Sequence, residues 1–434
     1  MCRIVACFWL LALTSIVSAK PNIVVLLTDD LGYGDLGCFG HPRIKTPHLD
    51  QLAHDGLTLT SCYAGAPVCS PSRAALFTGR NPNRMGIRDW IPQGSSVFLP
   101  RTEVTITQRL QAAGYTTCLA GKWHLNSKFD GMEPTPGDFG FDHWFATQNN
   151  AAPTHANPTN FVRNRRRVGP LNGNSSTLIM DEGLKFMDSA GDRPFALFLT
   201  FHAPHEIVAA PDQFTSMYAD VPDVTKRVYC GSVSLVDQEV GRLLKALDDR
   251  KLRDNTLVFF TSDNGPETLH RYPTATHSHG SAGPLRGMKL SMYEGGYRVP
   301  GILQWPGHTT PGSTSDEPVA FYDLMPTLCA VAGVEPPADR PLDGANVLPL
   351  LDGRSITRRV PLYWQYDKAQ QGPWKLTLRQ GEWKLLADEK LETVALYNLV
   401  ADPGEKSDLA DKHPDRVREL KELMTKRHHE VNGK

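Results

Sequence analysis

Ile23-Val24-Val25-Leu26-Leu27-Thr28-Asp29-Asp30 is the stretch on which the fold turns. An unbroken apolar run with no alternation has no polar face to give to water, so it predicts a strand buried on both sides. It stops abruptly at two acids. The same design recurs three times. Residues 115–120 run into Gly121-Lys122-Trp123-His124, residues 195–200 into His202 and Pro204-His205, and residues 257–260 into Thr261-Ser262-Asp263-Asn264. Strands buried on both faces belong to parallel sheets flanked by helices, and such sheets bind ligands beyond the carboxyl ends of their strands. Four strand ends carrying acids, a lysine and histidines therefore predict an α/β enzyme with its site on that edge.

Helices between the strands have readable limits. Thr46-Pro47 opens one that closes by Gly56, with proline at the first helical position. Another ends at Gly114. A long one carries Tyr229, Val233, Val236, Val240, Leu243 and Leu247 at three- and four-residue spacing, which makes one buried face. Near residues 334–340 the chain turns proline-rich. Beyond lie short strand-like runs at residues 362–366, 374–378, 382–386 and 395–399, then an amphipathic helix from about Asp415. This pattern predicts a smaller α+β domain with an antiparallel sheet over residues 336–434, after a catalytic domain over residues 20–335.

At 434 residues, with 46 basic and 47 acidic side chains, the chain has room for a large core and offers no charge argument for nucleic acid. Residues 1–19 stand apart. Arg3 gives a positive start, residues 4–17 are almost wholly apolar, and Val17-Ser18-Ala19 is a small-residue cleavage site. These features predict a signal peptide, since the run is short for a membrane span. No later segment looks able to cross a bilayer, so export to a periplasmic, secreted or lysosomal-type compartment is expected. Cys38, Cys62, Cys69, Cys118, Cys230 and Cys329 follow the leader without a Cys-x-x-Cys pair, which argues against a zinc knuckle. Export would permit disulfides, whose pairing the spacing does not assign.

Asp29, Asp30, Asp263 and Asn264 offer hard oxygen donors that suit Ca²⁺ or Mg²⁺ better than zinc. Adjacent carboxylates repel unless a cation or proton lies between them. The densest block is Cys69-Ser70-Pro71-Ser72-Arg73-Ala74-Ala75-Leu76-Phe77-Thr78-Gly79-Arg80. Pro71 and the apolar residues after it mark a helix start. Cys69 then sits at a positive helix terminus beside Arg73, a place that lowers a thiol pKa and attracts anions.

This block resembles the type I sulfatases, in which the matching cysteine is oxidised to formylglycine, and the local sequence is most similar to the arylsulfatase A and N-acetylgalactosamine-6-sulfatase branch. The resemblance extends over Pro21 to Gly34, Gly121 to Leu125, Thr261 to Gly265, Leu285 to Gly296 and Leu396-Tyr397-Asn398-Leu399. It implies an alkaline-phosphatase-like α/β/α sandwich with a large mixed, mostly parallel sheet. It also implies a bound Ca²⁺, ahead of Mg²⁺, held by Asp29, Asp30, Asp263, Asn264 and the modified Cys69. Arg73 and Lys122 would hold the aldehyde hydrate, His124 would take a proton from it, Lys289 would contact sulfate and His205 would act as general acid. His205 matches the family histidine better than His202. Asn126 departs from the family's usual glycine. A sulfated carbohydrate or aryl sulfate is the implied substrate, and a formylglycine-generating enzyme the implied maturation partner.

Weaker candidates surround this set. Arg163, Arg165, Arg166 and Arg167 suit a solvated charged surface ahead of a grip on a polyanionic glycan. Arg88, Trp90, Asn150 and His155 are candidates for a sugar pocket. Asn174-Ser175-Ser176 is a glycosylation sequon if the host glycosylates exported proteins. Two rival functions are a phosphate or phosphonate monoesterase on the same scaffold and an inactive glycan-binding homologue.

Overall fold

A computed structural model describes residues 20–433, so the expected signal peptide at residues 1–19 lies outside the described residues. The strands run β1 (Asn22–Asp29), β2 (Leu57–Tyr63), β3 (Thr116–Lys122), β4 (His143–Thr147), β5 (Phe161–Arg163), β6 (Arg166–Val168), β7 (Phe195–Pro204) and β8 (Thr256–Ser262). They continue with β9 (Arg298–Gln304), β10 (Ser313–Ser315), β11 (Val319–Ala320), β12 (Leu362–Gln365), β13 (Leu376–Gln380), β14 (Trp383–Ala387) and β15 (Val394–Asn398). The helices are α1 (Pro47–His54), α2 (Cys69–Thr78), α3 (Ile106–Ala112), α4 (Ser175–Ala190), α5 (Asp212–Thr215), α6 (Val224–Asp249), α7 (Leu324–Ala332) and α8 (Pro414–Asn432).

The large sheet has 11 strands in the order β10-β2-β9-β8-β1-β7-β3-β4-β5-β6, with β11 paired to β2. Strands β8, β1, β7, β3 and β4 form a continuous parallel block at its centre, and β9 and β5 run antiparallel at its flanks. The reason β1 lacks alternation is now visible. Ile23, Val25 and Leu27 enter one core with α2, α3 and α7, whereas Val24 and Leu26 enter the other with α1, α4 and α6. Each fully buried aliphatic side chain contributes about 1.5–3 kcal/mol, so a strand apolar on both faces anchors both layers.

The four strands expected to deliver the site lie side by side. Gly121 shows how closely they approach. A Cβ there would lie 1.9 Å from the Thr200 carbonyl oxygen of β7, and its φ of +117° favours glycine. The long helix extends over Val224–Asp249, and the six apolar residues expected on one face are all buried. Helix α1 does carry proline at its start, but Thr46 does not cap it. The carboxylate of Asp237 in α6 instead accepts from the His48 and Leu49 amides at 3.3 and 2.8 Å. That cap is tertiary and has no local signature.

The smaller sheet is an antiparallel meander, β12-β13-β14-β15. Leu376, Leu378, Leu385 and Leu396 on one face pack with Leu420, Met424 and Val431 of α8. Trp364, Leu386, Ala395 and Tyr397 on the other face join the core of the large sheet. The two sheets thus share an apolar packing surface.

Among the described residues, no helix is long and apolar enough to cross a membrane. The cysteines from Cys38 to Cys329 are free thiols, so none of the permitted disulfides forms among them. Asn174 uses its side chain as the N-cap of α4, accepting from the Ser176 amide at 2.9 Å and donating to the Ala209 carbonyl at 2.8 Å. In the folded chain the sequon is occupied by that cap.

Candidate active site

The carboxyl ends of β8, β1, β7 and β3 converge below a cavity of about 650 Å³, within the usual range for small-molecule sites. Cys69, His124, His205 and Lys289 line it, together with Trp90 and Asn150. Beneath lies a cluster of opposed charges. Lys122 Nζ donates to Asp29 Oδ2 at 2.5 Å and to Asn150 Oδ1 at 3.1 Å. Arg73 donates through Nε to Asp263 Oδ2 at 2.8 Å and through Nη1 to the Lys122 carbonyl at 2.7 Å. Lys289 Nζ contacts both oxygens of Asp30 at 2.7 and 2.8 Å. Three carboxylates thus face three cations, all buried.

Backbone strain marks the same place. Asp30 and His124 adopt left-handed φ values of 63° and 57°. Such conformations cost on the order of 1–3 kcal/mol each in a non-glycine residue and persist where surrounding contacts impose them.

Cys69 is the first residue of α2, whose N-cap Val68 has no side chain to satisfy the free amides. Neither helix serine supplies one. Ser70 Oγ accepts from Ile91 and Ser72 Oγ from Gly65. The positive helix end is therefore available to an anion. The expected lowering of the thiol pKa does not occur. Burial pushes Cys69 up to about 12 against the pull of Lys122 and Lys289, and Asp29 and Asp263 add to the rise. The helix terminus is outweighed by desolvation and two acids.

The two histidines at the cavity have definite faces. His124 Nε2 lies 3.1 Å from the Ile91 carbonyl and must donate to it, while its buried Nδ1 has no partner. Burial, then Lys122 and Arg73, holds its pKa well below the usual range, so the ring is a neutral acceptor at Nδ1. His205 donates through Nδ1 to the Glu206 carbonyl at 2.7 Å, leaving Nε2 toward Asp30 Oδ2 at 3.5 Å. Burial, then Lys289, lowers its pKa to about 3.

Asp29, Asp30, Cys69 and His205 each place a ligand-capable atom within 4.8 Å of the others. Asp29 Oδ1 and Asn264 Oδ1 are buried oxygens without a hydrogen-bond partner. Buried orphan acceptors are costly unless a donor or cation meets them. The carboxylates of Asp29 and Asp30 and these two oxygens fit a hard divalent cation, to which a thiol or imidazole adds little. Asp263 is turned toward Arg73 through Oδ2 and accepts from the Asp30 amide through Oδ1 at 3.3 Å. Burial raises the carboxyls of Asp30 to about 6 and Asp263 to about 7, whereas Lys122, with Arg73 and Lys289, overcomes burial at Asp29 and holds it well below the carboxylate range.

The weaker candidates divide. Trp90 and Asn150 line the cavity. Arg88 instead meets Asp367 at 3.3 Å, and His155 is fully buried against His202. Strand β7 continues past the expected end at Thr200 to Pro204. His202 is therefore a strand residue packed on Phe161 and bonded to Thr147, whereas His205 emerges beyond the strand. The arginine run forms the β5–β6 hairpin. Its turn lies at the opposite end of the strands from the cavity, since Arg163 pairs with Phe145 while the more cavity-proximal Ala146 pairs with Val162. Arg163 is held by Glu182 and Arg165 by Asp138. Asn126 is buried in its loop and donates to the Lys128 and Pro134 carbonyls.

Sequence reading missed Asp89, Arg271, Tyr366 and Lys368, which also line the cavity. Asp89 adjoins a named candidate, but Tyr366 and Lys368 come from the smaller domain and no local motif marks them.

Residues 21–334 match the family model described as Sulfatase, and residues 288–433 match N-sulphoglucosamine sulphohydrolase, C-terminal. The chain is 36% identical to N-acetylgalactosamine-6-sulfatase of Homo sapiens over 368 residues, covering 79% of this chain and 68% of that one. It is 35% identical to arylsulfatase A of Homo sapiens over 458 residues, covering 94% and 88%. The crystal structure of Ps i-CgsB in complex with k-i-k-neocarrahexaose superimposes with a TM-score of 0.84 at 30% identity, covering 93% of each chain. The chain belongs to the sulfatase family of sulfuric ester hydrolases.

Proposed function

We propose that this sulfatase hydrolyses a sulfate monoester on a carbohydrate, using a formylglycine made from Cys69 and a bound divalent cation. The observation that carries the reading is the cluster at the helix end, where residue 69, two acids and His205 converge beside buried orphan oxygens. A thiol kept neutral by burial is a poor nucleophile, and the aldehyde hydrate supplies a hydroxyl in its place. Asp29, Asp30, Asp263, Asn264 and the modified residue would hold Ca²⁺, ahead of Mg²⁺, and the cation supplies charge stabilisation at the sulfate oxygens.

The chain's own groups take the remaining roles. Lys289, buried at the cavity wall, orients the sulfate, and Arg73 and Lys122 hold residue 69. His124 accepts a proton at Nδ1, the nitrogen its Ile91 hydrogen bond leaves free. His205 protonates the leaving oxygen from Nε2, once the sulfate's negative charge offsets the desolvation that keeps the ring neutral. The N-acetylgalactosamine-6-sulfatase relative and the k-i-k-neocarrahexaose bound in one solved structure support a sugar as the leaving group. We take residues 20–335 as the catalytic domain and residues 336–434 as the smaller one. Export through a signal peptide at residues 1–19 and maturation by a formylglycine-generating enzyme complete the proposal.

The test is sulfate release from a panel of sulfated mono- and oligosaccharides, run beside a matched phosphate ester, with mass measurement of the residue-69 peptide. We expect sulfate turnover and an aldehyde mass. Preference for phosphate would favour a phosphomonoesterase, and an unmodified thiol throughout protein from the native host would favour an inactive glycan binder.

A further inference from the structure

The floor of the cavity is charged, but its mouth is built differently. Trp90 is 45% exposed and Ile207 is 37% exposed, and both line the opening. Among the described residues, no protein group accepts from the Trp90 indole N–H. An exposed tryptophan with a free polar edge offers an apolar face for ring C–H groups and a donor for one hydroxyl.

Its position is fixed by a carboxylate that joins both domains. Asp89 Oδ1 accepts from the Trp90 amide at 2.9 Å and from the Tyr366 hydroxyl at 2.9 Å. Asp89 Oδ2 accepts from Lys368 Nζ at 2.6 Å. Tyr366 and Lys368 lie between β12 and β13, so the smaller domain supplies one side of the rim.

Two cations that line the cavity are each paired with a carboxylate. Lys368 is paired with Asp89, and Arg271 donates to both oxygens of Glu267 at 2.7 and 2.6 Å. A cation neutralised by its own carboxylate has little attraction left for a second sulfate. A carboxylate beside an ammonium does offer an acceptor and a donor to neighbouring hydroxyls.

We infer that Trp90 and the Asp89–Lys368 pair form a subsite for an uncharged, hydroxyl-bearing sugar ring, so that the enzyme selects monosulfated over multiply sulfated saccharides. This rests on the sulfated-carbohydrate reading and extends it to the chemistry of the leaving ring. Trp90 stacks on the ring, and the ion pair binds adjacent hydroxyls.

The experiment compares hexose monosulfates with the corresponding disulfates, using mature enzyme with its cation. Wild type should show the higher kcat/KM on the monosulfate. Trp90→Ala should lower kcat/KM on the monosulfate by about tenfold, mainly through KM, and Trp90→Phe should recover most of the loss. Asp89→Asn should also raise KM. Inhibition by inorganic sulfate reports the floor alone, so KM for the sugar should shift more than the inhibition constant does. Preference for the disulfate, or equal shifts of the two constants in Trp90→Ala, would overturn the subsite while leaving sulfatase activity in place. Inactivity of the wild type on every sulfate ester would overturn the underlying reading instead.

Discussion

Two of the buried ionic clusters among the described residues differ in what a ligand could reach. Around residue 69, lysines and an arginine face acids, yet Asp29 Oδ1, Asn264 Oδ1 and His124 Nδ1 have no partner. At the boundary with the smaller sheet, Glu294 has both oxygens engaged, by the Tyr63 hydroxyl at 2.5 Å and by Lys384 at 2.9 Å. Lys384 also lies 2.8 Å from Glu405, whose other oxygen accepts from the Glu294 amide at 2.6 Å. Burying a charge is tolerable when its partners close around it, as Lys384 does for both glutamates. Glu405 Oε1 also lacks a hydrogen bond, but the unmet acceptors of the first cluster lie at the foot of a cavity, and that access separates a site from a structural joint.

The largest effect is expected at the nucleophile. Cys69→Ala should reduce sulfate release by at least about a thousandfold while the unfolding curve barely moves, because the side chain is small and a methyl group fills most of its volume. Retained turnover would remove Cys69 from the chemistry. The opposite pattern is expected at the joint. Lys384→Met leaves Glu294 and Glu405 without their shared cation and should cost about 3–5 kcal/mol in urea unfolding. If stability held and activity collapsed, the two clusters would not differ as argued.

Cation removal probes the orphan oxygens. Chelation should lower the stability of the loaded enzyme by roughly 2.7 kcal/mol relative to a free cation concentration of about one hundred times Kd. Calorimetry with and without chelator checks this, and an unmoved melting temperature would mean that the cluster binds no ion.

The smallest effect is expected at another closed network. Burial raises the Glu182 carboxyl, but hydrogen bonds from His143 and Arg163 prevail and set it at about 2, below its ordinary 4.5. A depressed acid stabilises fully above the unfolded value, and that contribution is lost as pH falls through about 2. Glu182→Gln should therefore flatten the acid limb of stability against pH, measured by thermal melts between pH 6 and pH 3.

Much of this molecule follows from local sequence. The apolar runs of β1, β3, β7 and β8 and the abrupt polar residues at their ends are enough to place Asp29, Lys122, His205 and Asp263 on one edge, since strands buried on both faces pair in parallel and bring their carboxyl ends together. The block from Cys69 to Arg80 marks the helix whose first residue enters the cavity.

The remaining features depend on partners far apart in the chain. The thiol at residue 69 is held up by desolvation and by acids on other strands, so its helix position alone gave the wrong sign. His202 and His205 are separated by how far β7 runs before leaving the sheet. Asp89 acquires its meaning from Tyr366 and Lys368, which lie 277 and 279 positions away. Local patterns set which faces are buried. Solvation, charge pairing and the meeting of two domains depend on neighbours that no short window of sequence contains.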